Sequence, residues 1–399
     1  MMQSMIKRKV LFIFFFLAWS MDDYAQEKFE DEFTLKVNAE DRFFFSEGLY
    51  EGQEKNFLSL AVQPEYSIKW NDDKFLFKLS LFGRYDQHDH RRTHADIREL
   101  YWQMTSNNHD LSIGFKKIFW GVTESNHVVN IINQTDIVES FDGEEKLGQP
   151  MVHYSYQSRV GVFDFFFMPY FRQPTFPGEA GRLRTPIVIN KSMIAFESSM
   201  EEYRPDVAFR WSHYIGKFDL GLSHFYGTGR QVLIKNLTTF EPTFAIVNQT
   251  GLDVQATTGP MLWKLEWIYN NNKIQDYTAL AAGFEYTFGN VNNEGLDIGI
   301  LSEYSYDSRD ELSLNSLQND VFAGARFGFN NTNDLQILAG GILDVKRGTT
   351  LISIEASQRI KESWKIELEG RFFTNTSNDE FIYFARKDSF MRLAISKYF

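Results

Sequence analysis

The sequence predicts an all-β chain that closes into a transmembrane antiparallel up-and-down barrel of about 18 strands (16–18), with an inserted loop in the lumen. Three observations carry this prediction. Aromatics alternate with charges at a period of two, the connections between such runs alternate in length, and a short apolar leader precedes the first run.

The alternation is cleanest in 364–372. There Trp364, Ile366, Leu368 and Phe372 oppose Lys365, Glu367, Glu369 and Arg371. A helix would scatter those charges around its axis, whereas a strand puts them all on one face. In 74–85, Phe75, Phe77, Leu79, Leu81 and Tyr85 oppose Lys74, Lys78, Ser80 and Arg84; in 261–269, Met261, Trp263, Leu265, Trp267 and Tyr269 oppose Lys264 and Glu266. The chain holds 39 Phe and 18 Tyr in 399 residues. Aromatics interleaved with charge on nearly every strand describe an apolar outside and a wet inside.

Strands are expected near 32–45, 56–70, 74–85, 95–105, 109–120, 151–158, 161–172, 206–215, 218–227, 248–257, 261–269, 277–288, 295–306, 320–330, 334–344, 349–360, 364–372 and 388–399. Long connections (46–55, 86–94, 121–150, 173–205, 228–247, 307–319, 374–387) alternate with turns such as Asn71-Asp72-Asp73 and Gly216-Lys217. Long external loops opposed to short periplasmic turns are the asymmetry of outer-membrane barrels. Two connections, 270–276 and 345–348, are short where long ones are expected.

Lys7, Arg8 and Lys9 precede the apolar run Val10 to Trp19, too short to span a bilayer. Residues 1–25 are read as a signal peptide, cleaved after Ser20 or after Ala25, and 26–399 as one outer-membrane barrel. With no cysteine there is no disulfide framework or thiolate site, and a net charge of −12 argues against a nucleic-acid partner. The last strand, with Met391, Leu393, Ile395, Lys397 and Phe399 on one face, resembles the signal read by the outer-membrane assembly machinery. Outer-membrane lipid, lipopolysaccharide and small solutes are the other expected partners, and a homo-oligomer is left open.

The stretch 110–140 stands apart. Leu111, Ile113, Phe115 and Phe119 alternate with Ser112, Gly114, Lys116 and Trp120, and the pattern breaks at Trp120-Gly121 into a polar-apolar insertion. Gly114-Phe115-Lys116, Trp120-Gly121 and Asn133-Gln134-Thr135-Asp136, with the preceding Glu99-Leu100-Tyr101-Trp102, resemble a segment of the DUF1302 and alginate-export type of porin-like outer-membrane barrels. Gln134 stands where that family has proline, and its upstream acid is not evident. The resemblance implies a pore whose third external loop folds inward.

Parity points Lys78, Arg84, Lys116, Arg210, Arg371 and Arg392 inward, together with Glu266, Glu303, Glu355, Glu367 and Glu369. The insertion brings Glu124, Asp136, Glu139, Asp142, Glu144 and Glu145 against a lone Lys146. An acidic loop facing a partly basic wall would set a transverse field across a constriction. The candidate lining and constriction residues are Lys78, Arg84, Arg98, Lys116, Trp120, Glu124, Asn133, Asp136, Arg371 and Arg392. Asp136 is expected either to tie the loop to Arg84 or Arg98 and cap its own turn, or to be a solvated loop acid. Inward aromatics Phe82, Trp102 and Phe225 suggest a track for sugars.

His88, His90 and His94 lie near Asp86 and Asp89, but Arg91 and Arg92 among them would repel a cation, so no metal or other cofactor is expected. That loop is expected to meet lipopolysaccharide phosphates or solvent. His213 faces outward by parity and Ser223 inward, so they do not form a nucleophile–base pair, and no enzyme is expected. The functional expectation is passive diffusion of small polar or anionic solutes, including sugars or polysaccharide. The alternative is a closed barrel, capped by 121–149 and 173–205, whose external loops bind or adhere.

Overall fold

The computed structural model describes residues 29–235 and 241–399; the expected signal peptide lies outside them. Eighteen strands, from Glu30–Phe44 to Phe390–Tyr398, form one antiparallel sheet. Each pairs with its neighbours along the chain, and the first pairs back onto the last, Val37 opposite Lys397 and Arg42 opposite Arg392. Closure leaves the sheet no edge, which a bilayer requires because lipid offers no hydrogen bonds to an unpaired backbone. At the seam Asn38 Nδ2 donates to Ser396 Oγ at 2.9 Å, and Leu35 and Phe399 exchange backbone hydrogen bonds.

The period-two pattern decides which face is wet. On Met261–Asn272, Trp263, Trp267 and Tyr269 are exposed outward while Lys264, Glu266 and Asn270 are buried inside. Short turns close one end, and Asn71, Asp72, Asp73, Asn107, Gly216, Gly259 and Lys361 take left-handed backbone there. Tight hairpins between twisted strands demand that conformation, which Gly, Asn and Asp supply at least cost. No described helix is long and apolar enough to cross a membrane.

Three departures from the expected pattern shape the interior. The strand expected over 109–120 ends at Lys116 and the one expected over 161–172 ends at Met168. Beyond Lys116 the amide of Ile118 donates to the side chain of Asn133 at 2.8 Å instead of to a neighbouring strand, so the chain leaves the wall. Trp102 is the third: it pairs with outward Phe77 and stacks on Phe75 at 5.8 Å, so it faces out rather than into a sugar track.

The strand His94–Ser106 also carries a bulge. Ser80 pairs with Glu99 and Leu81 with Ile97, leaving Arg98 as the extra residue. Bulges re-aim a side chain, and this one brings Arg98 to 3% exposure inside the barrel.

The main apolar core lies between loop and wall. Trp120, Val129, Ile131 and Ile132 of the loop pack on Met151, Phe166, Met168, Phe225 and Ile268 of the strands. A second cluster gathers Phe44, Phe57, Leu183, Phe373, Phe384 and Phe390 at the long-loop end. Apart from the barrel sheet, Ala195–Phe196, Leu233–Ile234 and Pro242–Phe244 form a small second sheet, from which Leu233 joins the main core.

Candidate functional site

Residues 117–148 enter the lumen and are tied to strands around the barrel. Asn133 holds the two ends of the loop together, its Nδ2 donating to the carbonyls of Lys116 and Leu147, both at 2.8 Å. Two wall carboxylates then receive the loop's backbone. Glu266, fully buried, accepts from the amides of Val122 (2.7 Å), Thr123 (3.0 Å) and Val129 (3.2 Å) and from Thr123 Oγ1. Glu303 accepts from the amides of Glu124 and Ser125, each at 2.8 Å, and from Ser125 Oγ at 2.7 Å. Convergent backbone amides form a nest that suits a negative charge.

Gly121 makes this approach possible. Its φ of +147° is unfavourable for a side chain, and a Cβ there would lie 2.9 Å from Glu266 Oε1. His127 adds charge to the same anchor, with Nε2 3.3 Å from Glu144 and Nδ1 3.7 Å from Glu266. Burial opposes a charge on His127, but the two carboxylates prevail and raise its pKa to about 9.

On the opposite side the loop is held through side chains. Asp136 is fully buried, with Oδ2 2.6 Å from Arg98 Nη2 and Oδ1 accepting from Thr175 Oγ1 at 2.6 Å. Burial opposes its ionisation, but the His94 ring 3.5 Å away, the charge of Arg98 and the hydrogen bond from Thr175 lower its pKa to about 2. It is therefore not a solvated loop acid. Its carboxylate leaves its own turn alone, and its backbone carbonyl takes the amides of Glu139 and Ser140. Arg84 pairs elsewhere, with Glu139 at 2.9 Å and Glu40 at 3.4 Å. Arg371 binds Asp142 and Glu355, both at 2.6 Å, and Arg392 binds Glu369 at 2.6 Å.

Between this loop and the strands near the seam lies a cavity of about 480 Å³. Arg84, Arg98, Arg371 and Arg392 line it, facing Glu139, Asp142, Glu355 and Glu369 across short distances. The other predicted residues sit off this cavity. Lys78 pairs with Glu99 at 2.6 Å, and Lys116 lies 5.1 Å over the Tyr101 ring. Glu124 pairs with Arg326 at 2.7 Å. Asn133 and Asp136 are buried fasteners. Trp120, 4% exposed, packs edge-on against Phe166 at 5.7 Å inside the loop–wall core rather than lining a pore.

Several important residues were invisible as such in the sequence. Glu40, 4% exposed, lies within 3.5 Å of Arg42, Arg84, Arg92 and Arg392, and the inward acids Glu266 and Glu303 turn out to be loop anchors. The second external loop turns inward as well: Arg92 is buried on Asp86 at 2.8 Å and Glu40 at 2.7 Å, while Asp89 accepts the amide of Gly178 at 3.1 Å. Gln87, His90, Arg91 and Thr93 of the same loop remain exposed. Its histidines part company, His88 lying edge-on to Phe57 at 5.2 Å and His94 lying 3.5 Å from Asp136. Among the described residues no group of three His, Asp or Glu side chains is arranged to hold a metal ion.

Two solved structures share this architecture. Wzi of Escherichia coli, an outer-membrane protein involved in group 1 capsule assembly and a carbohydrate-binding β-barrel, aligns with a TM-score of 0.54 at 11% identity. The alignment covers 91% of this chain and 83% of Wzi. OccD3 of Pseudomonas aeruginosa aligns with a TM-score of 0.54 at 8% identity, covering 92% and 91%. The fold is that of bacterial outer-membrane β-barrels. No protein-family model and no curated protein matches the chain, so the local resemblance around Gly114 to Asp136 is not extended to membership of the DUF1302 type.

Proposed function

We propose that the barrel is a narrow channel of the outer membrane for passive diffusion of small polar solutes. One observation carries this reading: the cavity of about 480 Å³, walled by loop residues 139–145 and by inward charges of both signs. Its size falls in the range of sites for small molecules, and its lining leaves little apolar surface for a hydrophobic one. The arginines are individually balanced by carboxylates, so the expected preference is for polar solutes with weak selectivity between anions and cations. Reconstituted protein should show stepwise single-channel conductance, a reversal potential near zero in a salt gradient, and liposome swelling with a size cutoff. Conductance absent at all voltages, with no swelling by any sugar, would overturn the channel.

A second reading is supported by the loop 169–205, which reaches across the mouth and buries Leu183 in the apolar cluster there. In that reading the lumen is closed and the external loops bind a ligand. Swelling distinguishes the two, since a closed barrel admits no sugar.

A further inference from the structure

We infer that Arg182 and Leu183 form a latch that seals the outer end of the charged cavity and must lift before solute passes between it and the exterior. This rests on the cavity being the solute path. The latch belongs to the loop following Gly161–Met168, yet it docks on the far side of the mouth, at the seam between first and last strands.

Leu183 is 6% exposed among Phe44 of the first strand, Phe57 of the second, Phe373 and Phe390 of the last two, and Phe384. Leu183, Phe141 and Phe390 also line the cavity, so the apolar cluster sits directly above it and forms its roof. An apolar constriction of this kind excludes water and ions by dewetting.

The fastening is centred on Arg182 and Asp388. Arg182 Nε donates to Asp388 Oδ1 at 2.7 Å, and the Leu183 amide donates to Asp388 Oδ2 at 2.8 Å. The remaining Arg182 nitrogens reach the carbonyls of Ser46, Glu54 and Lys387, joining both loops that flank the seam. Gln53 Nε2 donates to the Gly181 carbonyl at 2.6 Å. Against these contacts stands strain: Leu183 has a φ of +56°, left-handed backbone that a branched side chain rarely adopts. A plug held in an unfavourable conformation by a fastening centred on the buried Arg182–Asp388 pair has two states within reach, docked and released.

The chain has no cysteine, so a single thiol introduced as Lys117→Cys reports access to the cavity. On intact cells, a charged membrane-impermeant maleimide should label this thiol slowly when the latch is otherwise intact. Adding Arg182→Ala or Leu183→Gly should raise the rate about tenfold, with barrel assembly confirmed by heat-modifiable migration. Equal rates in all three chains overturn the latch. Conductance reports separately on the channel: silence in every chain sinks the channel reading while the labelling rates still decide the latch.

Discussion

Arg98 and Asp136 form a buried ion pair, 2.6 Å apart, with side-chain exposures of 3% and 0%. A strand bulge supplies one partner and the lumen loop the other. Removing one member of such a pair leaves a buried charge uncompensated, at a typical cost of about 3–5 kcal/mol. Asp136→Ala should release this part of the loop, lower thermal stability and raise single-channel conductance. Wild-type conductance in a correctly assembled variant would show that the loop does not depend on the pair.

The same pair predicts resistance to acid. The Asp136 pKa falls from 3.8 to about 2 on folding, so its stabilisation is fully present above about pH 4 and is lost only as pH falls through 2. Conductance should therefore change little between pH 7 and pH 4. A marked rise over that interval would place the acid-sensitive fastening elsewhere.

His127 behaves in the opposite sense. Its pKa rises from 6.5 to about 9 on folding, so its contribution is complete below about pH 6.5 and disappears as pH rises through 9. Current noise from loop motion should increase between pH 8 and pH 10 in the natural chain. In His127→Ala that step should be missing, and a step that persists would assign it to another group.

Glu266→Gln keeps the shape of the anchor but removes its charge, and its NH2 group replaces one of the two oxygens, facing either the Val129 amide or the amides of Val122 and Thr123. Loss of charged hydrogen bonds with donors left unpaired costs on the order of 2–3 kcal/mol. Hydrogen exchange at those amides should accelerate about tenfold or more while the strand amides of 261–272 remain protected. Unchanged exchange at all three would remove Glu266 from its anchoring role.

Trp120→Ala should destabilise the loop–wall core by about 3–5 kcal/mol, as expected for a buried aromatic, without changing the reversal potential. A shifted reversal potential would instead place Trp120 on the solute path.

The wall was legible from the sequence because its period of two is imposed by bilayer and water on every strand, and each expected strand is present. The inward path of 117–148 was legible from the break at Trp120-Gly121. What holds the loop was not. Acidic Glu124 beside acidic Glu303 reads as repulsion until the contact is seen to run through backbone amides, which carry no sequence signature. The bulge at Arg98 was hidden for a related reason: one extra residue changes register without changing composition. The latch joins residues 182 and 388, and no local pattern connects positions so far apart.

Fastening through peptide amides has a further consequence for how such a protein diversifies. Glu266 and Glu303 grip main-chain groups that almost any residue possesses, so side chains outside the fastening, such as Asn126, are free to be exchanged while the grip survives, and Thr123, Ser125 and His127 only reinforce it. The scaffold thereby separates where the loop sits from what it displays. A designer could rewrite its displayed chemistry, sparing Gly121, Thr123, Ser125, His127 and the apolar contacts of Val129, and expect the new side chains to arrive at the same place.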